Sequence, residues 1–487
     1  MLIALVSVPL VLRALGKSDY GLYNLVAGVI SMLAFLNSSM AISTQRFLSV
    51  AIGTKNYTRL NTVYNAAIAI HLLLGGIIVL LFEICYFFVF DGFLNIEPER
   101  IGVAKIVYQC LVVSTFFNVI SVPFTAVLNA KENMVVFSII HIVDSICKLL
   151  LALYLLYCPI DRLVVYGVGM ACISIFNTMV WRFYVKRKYH EFSLNMRNFF
   201  DKSVIKEMGS FAGWNTVGAI AIIGRNQGIA IVINHFFGTI ANAAYGIANQ
   251  VNGVLVDLSG TFRKTLNPQL MQSEGMNDRE RLVKISFMLT KSSVLVLALF
   301  GIPLLIEMPY VLKLWLHDVP EYTLRLTQLI LILNLVYQFS IGTISSIQAV
   351  GNVRLYFIIT STLVLLNIPI SYFLLKQGMP PYATVVVFIV IEVLCFVARL
   401  IMARKNVGIR ITDYFKKVFV PVVLCIVASA ILPLLVHYFM QESFLRLAVV
   451  CIIYALVYLL LAWRFLLEDV VRNTILALLN RFIRKKS

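Results

Sequence analysis

Apolar runs separated by short polar breaks recur from end to end of the chain. Most reach about 20 residues, the length of helix that crosses a hydrocarbon layer. They are apolar all round rather than alternating, which predicts helices and not the strands of a membrane barrel. The breaks place about fourteen spans, starting near Met1, Tyr20, Thr62, Ile101, Val135, Leu163, Glu207, Asn242, Leu282, Thr323, Leu355, Tyr382, Val418 and Leu445. No break is large enough for a folded domain. The longest, residues 185–206, 404–417 and the tail after Trp463, are basic.

Composition agrees with this pattern. At 60% hydrophobic and 13% charged, the 487 residues carry more apolar surface than a soluble core could hide. The net charge of +18 invites a nucleic-acid reading, but the basic residues fall where the positive-inside rule puts them. With even-numbered spans ending in the cytoplasm, roughly 29 of the Lys and Arg lie on that side and roughly 9 on the other. Both termini are then cytoplasmic, and the basic loops face anionic headgroups rather than nucleic acid.

The eight cysteines form no C-x-x-C pair, and each lies in or beside an apolar run, so they read as packing residues. His71, His141 and His437 fall in or at the edge of spans, the other three histidines in loops, and none has ligand spacing. No P-loop, H-E-x-x-H or nucleophile elbow is present. Before Arg13 only about a dozen apolar residues are available, about 18 Å of helix. Without the basic head or cleavage site of a secretory signal, this start predicts an upstream segment that completes the first span.

An internal repeat organises the chain. "YGLYNLVAGV", from Tyr20 to Val29, returns as "YGIANQVNGV", from Tyr245 to Val254. Glu83 of "FEICY" pairs with Glu307 of "IEMPY", "IEPER" with "DVPEY", and Ala130 and Asn133 with Ala349 and Asn352, all at nearly one offset. The unit therefore holds about six spans, and an even number relates the halves as parallel repeats about an axis along the membrane normal. The predicted fold is an all-α polytopic membrane protein with two pseudo-symmetric six-helix lobes, residues 1–200 with a short first helix and residues 201–405. An appended helix pair with a basic cytoplasmic tail, residues 406–487, completes it. Like-oriented bundles that rock about a seam are a transporter's architecture. Pro123, Pro303, Pro369, Pro421 and Pro433 lie inside spans, where they permit kinks or fit irregular packing.

Polar groups inside spans are the candidate chemistry. In the seventh span Asn215, Gly218, Ile222, Arg225 and Asn226 share a helical face, with Gln227 beside it, and Asn242, Tyr245, Asn249 and Asn252 do so in the eighth. Such stripes face protein or a wet cavity rather than lipid, either as interhelical hydrogen-bond partners or as ligand contacts. Relative to the first copy, Leu25 and Ala27 have become Gln250 and Asn252, while Asn24 and Asn249 are both amides. Three basic residues lie within spans: Lys148, Arg225 and Lys291. Lys148 has Asp144 one turn away and His141 on the same face, which favours a neutralised pair. Arg225 has no acid within a turn of its own helix, Asp257 being a candidate partner, and Lys291 has none nearby. A desolvated guanidinium suits phosphate geometry, which points to an anionic substrate. Asp257, Glu392 and Asp144 are candidates for coupling to a proton or sodium gradient; as plain salt-bridge partners, Asp257 would pair with Arg225 and Glu392 with Arg399. Glu83 and Glu307, nearer span ends, read as scaffolding of the repeat.

Taken in order, "LRALGKSDYGLYNLVAGV", "STQRFLSVAIG", "GWN" with "GRNQG", "FFGTIANAAYGIANQV" and "MPYVLKLWLHDVPEYT" resemble the Wzx-type flippases of bacterial polysaccharide, O-antigen and lipopolysaccharide biosynthesis, of the Bacteroides type. These belong to the multidrug/oligosaccharidyl-lipid/polysaccharide exporter (MOP) superfamily. The resemblance spans nearly the whole chain. It implies a MATE-like fold of two six-helix lobes with two further helices and a cationic cavity. It also implies movement of an undecaprenyl-pyrophosphate-linked oligosaccharide across the bacterial inner membrane by alternating access, with no cofactor and no bond made or broken. Membrane lipids, a polysaccharide polymerase and glycosyltransferases are the implied partners. On this reading Arg225 and Lys291, with Lys148, hold the pyrophosphate, the Asn, Gln and Tyr stripes of the second and eighth spans, with Asn24, Asn249, Gln250 and Asn252, meet sugar hydroxyls, and Asn215, Asn226 and Gln227 are further substrate-binding residues. A multidrug/cation antiporter is the alternative on the same fold and would want an acidic cavity. A membrane polymerase or glycosyltransferase would want a large loop or domain, and none of the breaks provides one.

Overall fold

The computed structural model describes residues 2–31, 34–88, 90, 96–195, 199–316 and 318–466; the basic tail of the third predicted segment lies outside them, as does His317. All regular structure in the described residues is helical. The chain forms α1 (Leu2–Ser31), α2 (Ala34–Gly53), α3 (Tyr57–Phe88), a 3₁₀ turn (Pro98–Arg100), α4 (Ile101–Ala130), α5 (Met134–Tyr157) and α6 (Arg162–Lys188). Then follow α7 (Lys202–Gly275), α8 (Arg279–Ile306), α9 (Met308–Leu316), α10 (Thr323–Gln338), α11 (Ile341–Val350), α12 (Arg354–Lys376) and α13 (Ala383–Val407). The end comprises α14 (Ile411–Tyr414), a π-helical turn (Phe415–Phe419), α15 (Val420–Phe439) and α16 (Phe444–Phe465).

Ten of these helical segments are long and apolar enough to span a bilayer, eleven if α10 and α11, bent by 45° at their junction, form one span. The sequence predicted about fourteen, and the difference has identifiable causes. Helix α7 counts once although 74 residues would extend about 110 Å at 1.5 Å per residue. It is broken at Gly238 (φ 73°), between the seventh and eighth predicted spans. The first two predicted spans fall in α1 and α2, which are not among the ten. Helix α1 is interrupted at Gly16 (φ 79°), and α2 is studded with polar residues from Asn37 to Arg46.

The chain divides into two compact units, Met1–Ala219 with Met271–Asn277, and Ile220–Leu270 with Asp278–Ser487. The division falls inside α7 rather than at the 200/201 boundary drawn from the repeat, and the second unit contains the appended pair α15–α16.

In the first unit α4 is the central helix, flanked by α2, α3 and α6. Its buried stripe of Val107, Tyr108, Leu111 and Val119 packs on Ile78 and Phe82 of α3, and the Tyr108 hydroxyl donates to the Phe82 carbonyl at 2.6 Å. At one end Arg100 bonds both Asp19 and Asp161, and Asp161 also caps α6 by accepting from Leu163 N at 3.0 Å. At the other end Asn65 accepts from Asn195 N and donates to Ser193 O, each at 2.9 Å, while Lys131 meets Glu191 at 2.6 Å. This fastens the segment after α6 to the start of α3 and the end of α4.

The end of α7 returns to this unit. Gln272 donates to the Ala130 carbonyl at 2.7 Å. A Cβ on Gly53 would lie 2.2 Å from Gln272 O, and one on Gly275 2.2 Å from Val50 O, so only glycine allows this crossing. Both helices then stop at a left-handed residue, Lys55 (φ 55°) after α2 and Asn277 (φ 56°) after α7. The pairs Gly16 with Gly238, Gly53 with Gly275 and Lys55 with Asn277 each lie 222 positions apart, so the repeat extends to backbone conformation.

In the second unit Ile229, Ile233, Ala244, Tyr245 and Ala248 of α7 pack on Leu326 and Ile330 of α10. Helix α8 crosses α11 closely, and Gly342 N donates to Thr290 Oγ1 at 3.1 Å. The two repeat-related glutamates diverge. Among the described residues Glu83 accepts only from Gln109, at 3.2 Å, whereas Glu307 is fully buried and accepts from His437 Nδ1 at 2.8 Å and from Arg446 Nε and Nη2 at 3.1 and 2.8 Å. Read from sequence as repeat scaffolding, Glu307 ties the appended helices to the end of α8. His235, expected in a loop, instead lies inside α7, its ring stacked on Tyr372 at 6.4 Å.

Candidate functional site

The polar stripes of α7 acquire a purpose inside the second unit. Arg225, Asn226 and Ile229 precede the break at Gly238, and Tyr245, Asn249, Asn252 and Val256 follow it at helical spacing, so both sides present one face. That face meets Asn334 and Tyr337 of α10, Asn367 of α12, and Phe388, Glu392 and Arg399 of α13. Together they line a cavity of about 270 Å³.

Two guanidiniums define its electrostatics. The Arg225 guanidinium carbon sits 3.6 Å above the centre of the Phe388 ring, its buried Nε has no hydrogen-bond partner, and no described carboxylate lies within ion-pair distance of it. Arg399 is committed: its Nη1 bonds Glu392 and, at 3.0 Å, Ser340 Oγ, with both ionic side chains nearly inaccessible. Glu392 also acts on Arg225 over a longer range. With two guanidiniums and one carboxylate the cavity keeps a net positive charge. A buried cation without a carboxylate is costly, and a desolvated cation–π contact of about 2 kcal/mol offsets only part of that. An anion with phosphate geometry would complete the arrangement. Around the charges stand the amides of Asn226, Asn249, Asn252, Asn334 and Asn367, with Asn334 donating to Asn252.

Of the residues singled out by sequence, Arg225, Asn226, Asn249, Asn252 and Glu392 come together here. Gln227 and Gln250 are exposed on α7 outside the lining, and Lys291 on α8 is half-buried outside it. Asp257, offered as a partner for Arg225, is exposed and also outside the lining. Phe388 occupies the face of the guanidinium, a contact with no signature in sequence. Arg399, foreseen as the partner of Glu392, also lines the cavity. Asn334, Tyr337 and Asn367 were missed as isolated polar letters in apolar runs.

The remaining predicted residues belong to the first unit. Asn24 is exposed on α1 and donates to Tyr20 O at 3.0 Å. Asn215 is buried and donates to Phe211 O at 2.8 Å. Lys148 and Asp144 form the expected pair at 2.8 Å, and Asn177 Nδ2 donates to the other Asp144 oxygen at 2.5 Å. With His141, Trp181 and a set of Ser and Thr hydroxyls, this pair lines a second cavity of about 340 Å³ among α4, α5 and α6. The Lys148 charge is thus neutralised on its own helix.

The fold has counterparts among solved structures. A multidrug resistance MATE family transporter of the MOP superfamily, in its outward-facing conformation, matches with a TM-score of 0.69 at 14% identity, over 84% of this chain and 92% of its own. A MATE crystal structure in complex with MaD3S gives 0.71 at 13% identity, over 84% and 92%. A MOP superfamily transporter from Pyrococcus furiosus, whose binding pocket of reverse polarity suggests a different function, gives 0.66 at 13%, over 83% and 95%. At such identities the likeness establishes the fold, that of the MATE transporters. The MatE family model matches residues 1–154. No curated protein matches the chain.

Proposed function

We propose that this protein is a transporter of the MOP superfamily that moves an undecaprenyl-pyrophosphate-linked oligosaccharide across the bacterial cytoplasmic membrane, with both termini in the cytoplasm. The observation that carries the reading is Arg225, half-buried with an inaccessible, unpartnered Nε and no described carboxylate at ion-pair distance, in a cavity whose net charge is positive. Arg225 holds the pyrophosphate there, the surrounding asparagine amides meet polar groups of the head, and the prenyl tail stays in lipid. Glu392 neutralises only Arg399, which leaves the charge of Arg225 to the ligand. The basic bias of the loops on one side supports the orientation. A pocket of reverse polarity on the same fold supports the idea that the fold does not dictate the charge of the ligand.

A second reading, a cation antiporter, is favoured by the likeness to a multidrug resistance transporter and by Glu392 in the lining. Calorimetric titration of the purified protein with farnesyl pyrophosphate and with tetraphenylphosphonium separates the two. The flippase reading expects the pyrophosphate to bind and Arg225→Gln to weaken it at least about thirtyfold, the lower end of the cost of removing one partner of a buried charge pair. Tetraphenylphosphonium as the tighter ligand, or an unaffected Arg225→Gln variant, would sink it.

A further inference from the structure

The second cavity, among α4, α5 and α6, has a different chemistry. We propose that it is a binding site for an uncharged sugar ring. The proposal rests on the reading above in one respect, that a single ligand would bring both a pyrophosphate and a glycan.

Three observations carry it. First, the cavity's charges cancel: Lys148 Nζ lies 2.8 Å from Asp144. The ammonium occupies the one carboxylate that a sodium ion would need, and leaves no net charge to hold a phosphate. Second, the hydroxyls are oriented. Thr115, Ser174 and Thr178 spend their protons on the carbonyls of Leu111, Met170 and Phe117 at 2.8, 3.1 and 3.0 Å, so their oxygens remain as acceptors. The Oδ1 of Asn177 is a further acceptor, shut off from solvent with no hydrogen-bond partner. A wall of acceptors wants a ligand rich in O–H donors, and an orphaned buried acceptor is destabilising until one arrives. Third, the wall includes an aromatic surface, the exposed His141 ring, backed 5.7 Å away by the buried Trp181. Such a surface takes the apolar C–H face of a pyranose while the acceptors take its hydroxyls. The volume of about 340 Å³ lies in the range of small-molecule sites, about 300–1,000 Å³.

The two cavities therefore differ in chemistry, the one in the second unit offering charge and the one in the first unit offering uncharged acceptors. Saturation-transfer NMR on the full chain in nanodiscs tests this with glucose, galactose, rhamnose and N-acetylglucosamine as probes. Farnesyl pyrophosphate is titrated in parallel. At least one neutral sugar should bind at millimolar concentration. Asn118→Leu and Thr115→Val, on the cavity wall, should weaken it about tenfold, the loss of about one hydrogen bond, at unchanged melting temperature, while Arg225→Gln leaves it intact. Farnesyl pyrophosphate should show the opposite dependence. Sugar binding without pyrophosphate binding would uphold this site while removing the flippase reading. The proposal is overturned if none of the sugars binds up to about 50 mM, if both wall variants bind as the parent does, or if the signal follows sodium against choline and ignores sugar.

Discussion

Replacing Glu307 by Leu should be among the most damaging single changes in the second unit. The carboxylate is fully buried and takes three hydrogen bonds, two from Arg446 and one from His437. The Arg446 side chain is only 8% exposed, so without Glu307 its charge stays buried with one remaining partner, the Met440 carbonyl at 3.2 Å. Breaking such a pair costs about 3–5 kcal/mol. His437, 35% exposed, adds little because solvent screens it. At about 2–4 °C per kcal/mol for a unit of this size, Glu307→Leu should lower the melting temperature by roughly 6–20 °C, read by fluorescence-detected size exclusion of heated, detergent-solubilised protein. Arg446→Leu should do comparable harm. The double variant should recover to within about 5 °C of the parent, since apolar replacement of a whole buried pair is close to neutral. A silent Glu307→Leu, or a double variant that falls by the sum of the singles, would refute the claim that a buried charge pair fastens the appended helices.

Other expectations follow from the same geometry. Gly53→Ala forces a Cβ to 2.2 Å from a backbone oxygen and should cost at least about 1–3 kcal/mol, visible as lost yield and a lower melting temperature; Gly76→Ala, where nothing lies within 4 Å, is its control. Burial pushes the Glu191 carboxyl up, but the hydrogen bond and charge of Lys131 outweigh this and hold it below its ordinary value of 4.5. Its contribution is then complete above that pH and lost as pH falls through the depressed value. Melting temperature should accordingly fall less steeply below about pH 4.5 in Lys131→Met than in the parent. Asp257→Asn, at an exposed position outside the cavity, should leave farnesyl pyrophosphate affinity within about twofold of the parent by calorimetry.

The helical class and the spans could be read from hydropathy because lipid forces every backbone group into a helix, which leaves a signal in every apolar run. The charged face of α7 was equally legible: Arg225 with Asn226, and Asn249 with Asn252, share a stripe at helical spacing. What sequence could not show was the partner of Arg225. Asp257 was attractive by charge, but an aromatic ring provides the contact, and Phe388 is one of 33 phenylalanines. Asn334 and Asn367 join the cavity through tertiary packing of α10 and α12, which isolated amides do not announce. A better signal was the spacing of Phe388, Glu392 and Arg399, four and seven residues apart on one face of α13. The breaks at Gly16 and Gly238 were hidden for another reason: glycine permits a positive φ but does not demand it.

The crossing of α2 with the end of α7 has a meaning of its own. Gly53 meets Gln272 and Gly275 meets Val50, and Val50 and Gln272, like the glycines, lie 222 positions apart. Each partner is thus the repeat-equivalent of the other, the signature of an isologous contact between two identical subunits. Such reciprocity is what an ancestral dimer of one half would leave behind after its gene duplicated and fused.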